Sequence, residues 1–110
     1  MSKPALPTLT HLQFLVLGTL RTDDQPGRTV RQVLSTYGVR RSAPAFYQLM
    51  ARLEREKLVE GWYEQVTVGD QAVTERRYRI TADGTRRWTR AQQFYQQAGR
   101  MPARMRWSDA

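Results

Sequence analysis

The apolar residues of this chain change their spacing twice, and that switch limits the folds open to it more than any other feature. From Thr10 to about Val59 they recur at helical intervals. From Trp62 to Ile80 they alternate. From Thr81 onward the helical interval returns. A period of 3.6 places apolar groups on one face of a helix, and a period of 2 places them on one face of a strand. The pattern therefore predicts helices, then a β-hairpin, then one more helix.

Each segment carries its own boundary signals. Met1 to Leu9 holds two prolines and reads as a short arm. Thr10 is a helix N-cap, and the lone histidine, His11, sits at the helix start. Leu12, Leu15, Val16 and Leu20, widened by Phe14 and Leu17, make a helix apolar enough to lie centrally. Thr22 to Gly27 reads as a turn-rich break. A second helix is expected over about Arg28 to Tyr37, with Val30, Val33, Leu34 and Tyr37 inward. Gly38 stops it, because glycine enters the left-handed conformation at little cost. Ser42 caps a third helix, and Pro44 is tolerated in its first turn. Phe46, Leu49, Met50 and Leu53 face inward, and Arg41, Ala45, Gln48, Arg52 and Arg55 fall within one polar sector. This helix should end near Lys57 to Val59. Trp62 is expected in the core of the hairpin that follows, and Gly69-Asp70 is its turn signal. Tyr78 and Ile80 share one face of its second strand, Arg77 and Arg79 the other. Thr81 caps a fourth helix reaching about Ala98.

The fold class expected is mainly α with a small β-hairpin (α+β): a winged helix-turn-helix with an additional C-terminal helix. The divisions are an arm (1–9), the winged helix-turn-helix (10–80), a C-terminal dimerisation helix (81–98) and a basic flexible tail (99–110).

Charge and composition narrow the function. Eighteen Lys plus Arg stand against ten Asp plus Glu, for a net charge of +8, and the sequence pI is near 10.8. Such a balance suits nucleic acid, though anionic membranes and acidic proteins attract it too. The chain has no cysteine, which excludes disulfides and thiolate chemistry and fits a reducing cytoplasm. The start has no apolar run of signal-peptide length, and no stretch is apolar enough to cross a bilayer. No membrane association is expected. There is no glycine-rich phosphate loop, no His-Glu-x-x-His and no Ser/His or Cys/His pair, so neither an enzyme nor a cofactor or metal site is expected.

Helix, helix, tight turn, helix, hairpin, helix leaves one face of the third helix free beside a projecting wing. A helix fits the roughly 12 Å major groove of duplex DNA, and Arg and Gln match guanine and adenine edges. Three stretches resemble the PadR family of regulators. Pro26-Gly27-Arg28-Thr29-Val30 resembles its Gly-Tyr-Glu-Ile motif. Ser42 to Leu58 is similar to its Leu-Tyr-Pro-Ala-Leu-Arg-Arg-Leu-Glu-Glu-Glu-Gly-Leu helix. Arg76 to Gly84 is similar to its Arg-Arg-Tyr-Tyr-Arg-Leu-Thr-Glu-Ala-Gly signature. The likeness covers about Thr10 to Tyr95. It implies a homodimer on a near-palindromic double-stranded operator, usually as a repressor, with Tyr47 and nearby arginines on the DNA. Two positions depart from the pattern: Arg28 stands where the family has Tyr, and Lys57 replaces the glycine that ends the third helix, which means strain there or a longer helix.

Each site residue has a plainer alternative. Arg40 and Arg41 line a solvated turn or touch phosphates. Ser42 and Ala45 open the helix at the end nearest the duplex. Gln48 and Arg52 form an ordinary polar face, with Arg52 paired to Glu56, or they reach bases and phosphates. Tyr47 lies on the border of the core, half-packed or bonded through its hydroxyl to phosphate. Arg77 and Arg79 blunt a sheet edge or serve as wing contacts. Arg76 lies on the Tyr78 face and is the weaker candidate. Trp88, Ala91, Tyr95 and Ala98, with Gly84, form a stripe that meets either a second copy or the chain's own first helix. Some relatives hold a small-molecule effector between subunits, and Trp88 would line such a pocket. The competing function is a winged-helix protein-interaction module whose basic face meets an acidic partner.

Overall fold

The computed structural model describes residues 6–100. Most of the arm expected over 1–9 and of the tail expected over 99–110 therefore lies outside the described residues. The element order is α1 (His11–Thr19), β1 (Gln25–Pro26), α2 (Gly27–Thr36), α3 (Ala43–Arg55), β2 (Val59–Val68), β3 (Gln71–Ile80) and α4 (Ala82–Gly99). This is the mixed α+β, winged helix-turn-helix arrangement.

Local chemistry accounts for the boundaries. Thr10 and Gln13 form a reciprocal capping box at the start of α1. The Ser42 hydroxyl accepts from the Ala45 amide at 3.3 Å, and the Thr81 hydroxyl accepts from the Gly84 amide at 2.9 Å. The Thr81 hydroxyl also donates to the Lys57 carbonyl at 2.7 Å, tying the start of α4 to the end of α3. α2 and α3 end alike. Val39 N–H donates to Leu34 O, and Leu58 N–H donates to Leu53 O. Both turns need a left-handed residue just before that donor. In α2 it is Gly38, at φ 79°; in α3 it is Lys57, at φ 61°. Of the two outcomes foreseen for Lys57, strain is the one that occurs.

β2 and β3 form an antiparallel hairpin with Val59 opposite Ile80 and Val68 opposite Gln71. Gly69 takes φ 62° at the first turn position, as a two-residue hairpin connection with glycine there requires. Ten residues per strand make the wing about 33 Å long. β1 was expected to be only a break. Its two residues instead pair with Tyr78 and Arg77 of β3, giving the sheet order β1-β3-β2. Proline is admissible there because β1 is an edge strand.

The core joins Val16, Leu17 and Leu20 of α1, Val30 and Leu34 of α2, and Phe46, Met50 and Leu53 of α3. It continues through Leu58, Val59 and Tyr78 at the wing base to Trp88 and Ala91 of α4. Two aromatic expectations change. Tyr37 is 66% exposed, because it caps α2 beyond the last helical residue and leaves the helical projection. Trp62 is only half-buried, with the Arg79 guanidinium over its ring at 5.6 Å.

Candidate nucleic-acid interface

α3 is fixed from below by Phe46, Met50 and Leu53, each fully buried. Its other face is presented to solvent by the same packing. Tyr47, Gln48 and Arg52 are exposed along it, Ala45 is half-buried, and Arg40, Arg41 and Ser42 are exposed at its N-terminal end. These seven expected site residues lie on one continuous surface. Arg52 also reaches Glu56, one turn on, at 3.4 Å. That pair is exposed, so it is worth no more than about 1 kcal/mol and leaves the guanidinium free to turn elsewhere. Tyr47 meets Phe46 edge-on at 5.4 Å and keeps 45% of its surface open. Its ring is therefore half-packed, and its exposed remainder faces solvent.

Sequence reasoning missed two arginines on this surface. Arg28 and Arg31 project from α2 toward Arg40 and Arg41 and, with Gln32, line a cleft of about 520 Å³ whose floor includes Leu34, Val39 and Phe46. The Arg31 guanidinium donates to the Arg41 carbonyl at 3.0 Å, joining helix to turn. The signal was present in the sequence: Gln25 to Leu53 contains five arginines (28, 31, 40, 41, 52) and no carboxylate.

The wing differs from expectation. Arg77 reaches Asp24 at 2.6 Å, Glu64 at 3.2 Å and Glu75 at 3.1 Å. Three carboxylates enclose it, and it clamps the β1 edge to the hairpin instead of projecting outward. The Arg28 guanidinium, with burial opposing and Arg77 assisting, holds the Glu75 carboxyl below the usual carboxylate range. Arg79 remains exposed but holds Glu60 at 2.6 Å. Arg76 bonds Glu54 of α3 at 2.6 Å and lies 4.6 Å over the Tyr63 ring, bridging α3 and wing. Burial of Tyr78 beside this pair pushes its phenol up.

The stripe on α4 is divided. Trp88 stacks on Phe14 of α1 at 5.5 Å with the rings 7° from parallel, and Ala91 is fully buried. Both are covered by the chain's own first helix, because α4 leaves the wing base and returns across α1. Tyr95 stays 38% exposed and Ala98 half-exposed. The buried Trp88 indole N–H meets no acceptor among the described residues.

No family sequence model matches the chain, and no curated protein matches it. Solved structures do. A PadR family transcriptional regulator from Eggerthella lenta DSM 2243 superposes with a TM-score of 0.61 at 27% identity, over 77% of this chain and 71% of that one. The chain is a PadR-like winged-helix protein. A PadR family transcription regulator from Clostridium difficile R20291 gives a TM-score of 0.71 at 14% identity, over 83% of the PadR-like chain and 93% of that one. Bacillus subtilis PadR, solved in complex with operator DNA, gives 0.58 at 16% identity over 73% of this chain and 45% of its own length. At those two identities the likeness is one of fold.

Proposed function

We propose that this PadR-like chain is a sequence-specific DNA-binding transcriptional regulator, a repressor that binds an inverted-repeat operator as a homodimer in the cytoplasm. One observation carries the proposal: α3 presents Gln48 and Arg52 outward from a fully packed base, with Arg40 and Arg41 at its leading end and no carboxylate from Gln25 to Leu53. Gln48 and Arg52 are the base-reading side chains, since their forked donors and acceptors match adenine and guanine edges in the major groove. Arg40, Arg41 and the amides beyond Ser42 lie on phosphates. The Tyr47 hydroxyl takes a phosphate oxygen at the edge of that contact. The operator-bound B. subtilis PadR supports duplex DNA as partner through the shared fold.

The homodimer is built through what α4 leaves uncovered, Tyr95 and Ala98, next to His11, which stacks on Tyr95 at 6.5 Å. Two α3 helices then sit about 34 Å apart, one duplex turn. A small-molecule effector between the subunits is the finer element of this reading, and it is carried by the family resemblance.

Binding-site selection from random duplexes with the purified chain should return an inverted repeat. Arg52→Ala should then lower affinity for that repeat by about 1–3 kcal/mol and affinity for random sequence far less. Equal losses on both would remove Arg52 from base reading. If no duplex binds better than a heparin-like polyanion, the regulator reading fails and an acidic protein becomes the partner of the basic face.

A further inference from the structure

The positive charge of this chain is distributed unevenly within its winged helix. The wing, Val59 to Ile80, contains three arginines (76, 77, 79) and four carboxylates (Glu60, Glu64, Asp70, Glu75), and so carries a net charge of −1 in a chain of +8. Between Tyr63 and Glu75 it has no cation at all. Every wing arginine already holds a carboxylate: Arg76 holds Glu54, Arg77 holds three, and Arg79 holds Glu60. Moving one of these guanidiniums onto a phosphate would leave its former carboxylate beside that phosphate. The attraction gained would be offset by a like-charge contact, and few counterions would be released on balance.

The cleft between α2 and the turn before α3 has the opposite character. Arg31, Arg40 and Arg41 have no carboxylate partner among the described residues, and Arg28 shares Glu75 with Arg77. The cleft lies against the first turn of α3, with Phe46 in its floor. In helix-turn-helix docking the helix before the recognition helix crosses the DNA backbone, which places this cleft where phosphates pass. Arg31 is held there in advance by its bond to the Arg41 carbonyl.

We infer that the cleft carrying Arg31, Arg40 and Arg41 is the phosphodiester seat of this protein, and that the wing, with its net charge of −1, contributes almost nothing to its electrostatic attachment to DNA. The inference rests on the regulator reading above and adds where the backbone is gripped. Salt dependence of binding isolates it, because the slope of log affinity against log salt counts neutralised phosphates at about 0.9 each.

The probe is a short mixed-sequence duplex, read by fluorescence anisotropy from about 50 to 200 mM KCl. Replacing Arg31 and Arg40 together by alanine should flatten the slope by about 2 per bound chain, and the double lysine replacement should keep it. Arg79→Ala should change it by less than about half of one contact. Thermal melting of each variant checks the fold. Should the alanine pair not fold, the single Arg40→Ala, on the exposed turn, should flatten the slope by about 1. If Arg79→Ala flattens the slope as much as the cleft variants, or if the cleft variants leave it unchanged, the seat is overturned while duplex binding stands. A wild-type chain that binds no duplex even at low salt overturns the regulator reading and the seat with it.

Discussion

Replacing Lys57 by glycine should stabilise the protein, and the size of the gain follows from the backbone. Lys57 sits at φ 61° between the end of α3 and the start of β2. Its amide donates to Glu54 O and the next amide donates to Leu53 O, both at 3.0 Å. Leu53 and Leu58 are buried beside it, so the turn cannot relax without opening the core. A side chain with a Cβ pays roughly 1–2 kcal/mol in the left-handed region. Glycine avoids that cost but gives up about 0.5–1 kcal/mol more chain entropy on folding. The net gain is about 0.5–1 kcal/mol. A change of 1 kcal/mol moves the melting temperature of a domain this size by roughly 4–8 °C. Loss of the lysine charge near the helix C-terminus works against the gain by a few tenths of a kcal/mol, about the lower end of such dipole effects. Lys57→Ala is therefore the proper reference, since it loses the same charge and keeps the Cβ. Urea and thermal unfolding at fixed protein concentration should place Lys57→Gly above Lys57→Ala by about 0.5–1 kcal/mol, the left-handed penalty less the extra chain entropy of glycine. Equal stability of the two would refute the claim that strain is stored at this turn.

Two further outcomes follow from close contacts. A Cβ at Gly84 would collide with the Leu58 carbonyl oxygen and lie 2.8 Å from Ile80 Cγ1. Backbone cannot give way as a flexible side chain can, so Gly84→Ala should cost about 1–3 kcal/mol in denaturant unfolding; a neutral substitution would mean that α4 shifts freely on the wing base. The Glu75 carboxyl is held low by Arg28 and Arg77. A folded-state pKa below the unfolded one gives stability that is present above the ordinary carboxylate range and is lost as pH falls through the folded value. Glu75→Gln should therefore flatten the fall in stability on acidification, and an unaltered acid limb would remove Glu75 from the linkage.

The helices and the hairpin were legible because their order is written in local spacing and caps. Thr10, Ser42, Thr81, Gly38 and Gly69 each do in the structure what their position in the sequence announces. β1 was not legible. Two residues, one of them proline, carry no period, and only the register of β3 makes them a strand. The direction of the α4 stripe was not legible either. A helical period says which residues share a face, but not whether that face meets a second copy or Phe14 of the same chain.

The fate of the arginines shows the same limit most sharply. Arg77 and Arg79 alternate with core residues and look as available as Arg40 or Arg41. What distinguishes them is the carboxylate each one meets, and those meetings are remote in sequence: Asp24 is 53 residues from Arg77, and Glu60 is 19 from Arg79. Charge counted along a chain is thus an upper bound on charge a duplex can use. Here the bound is approached at Arg31, Arg40 and Arg41, inside a stretch from Gln25 to Leu53 that holds no carboxylate, and missed by far on the wing. On the seat proposed above, a PadR-like chain that grips phosphates through α2 and the turn, and keeps its wing nearly neutral, would vary the wing without altering its general hold on DNA. The wing keeps its place without any ionic contact to a duplex, because Val59 and Tyr78 at its base are buried in the core with α3 and the Arg76–Glu54 pair adds a bond between the two.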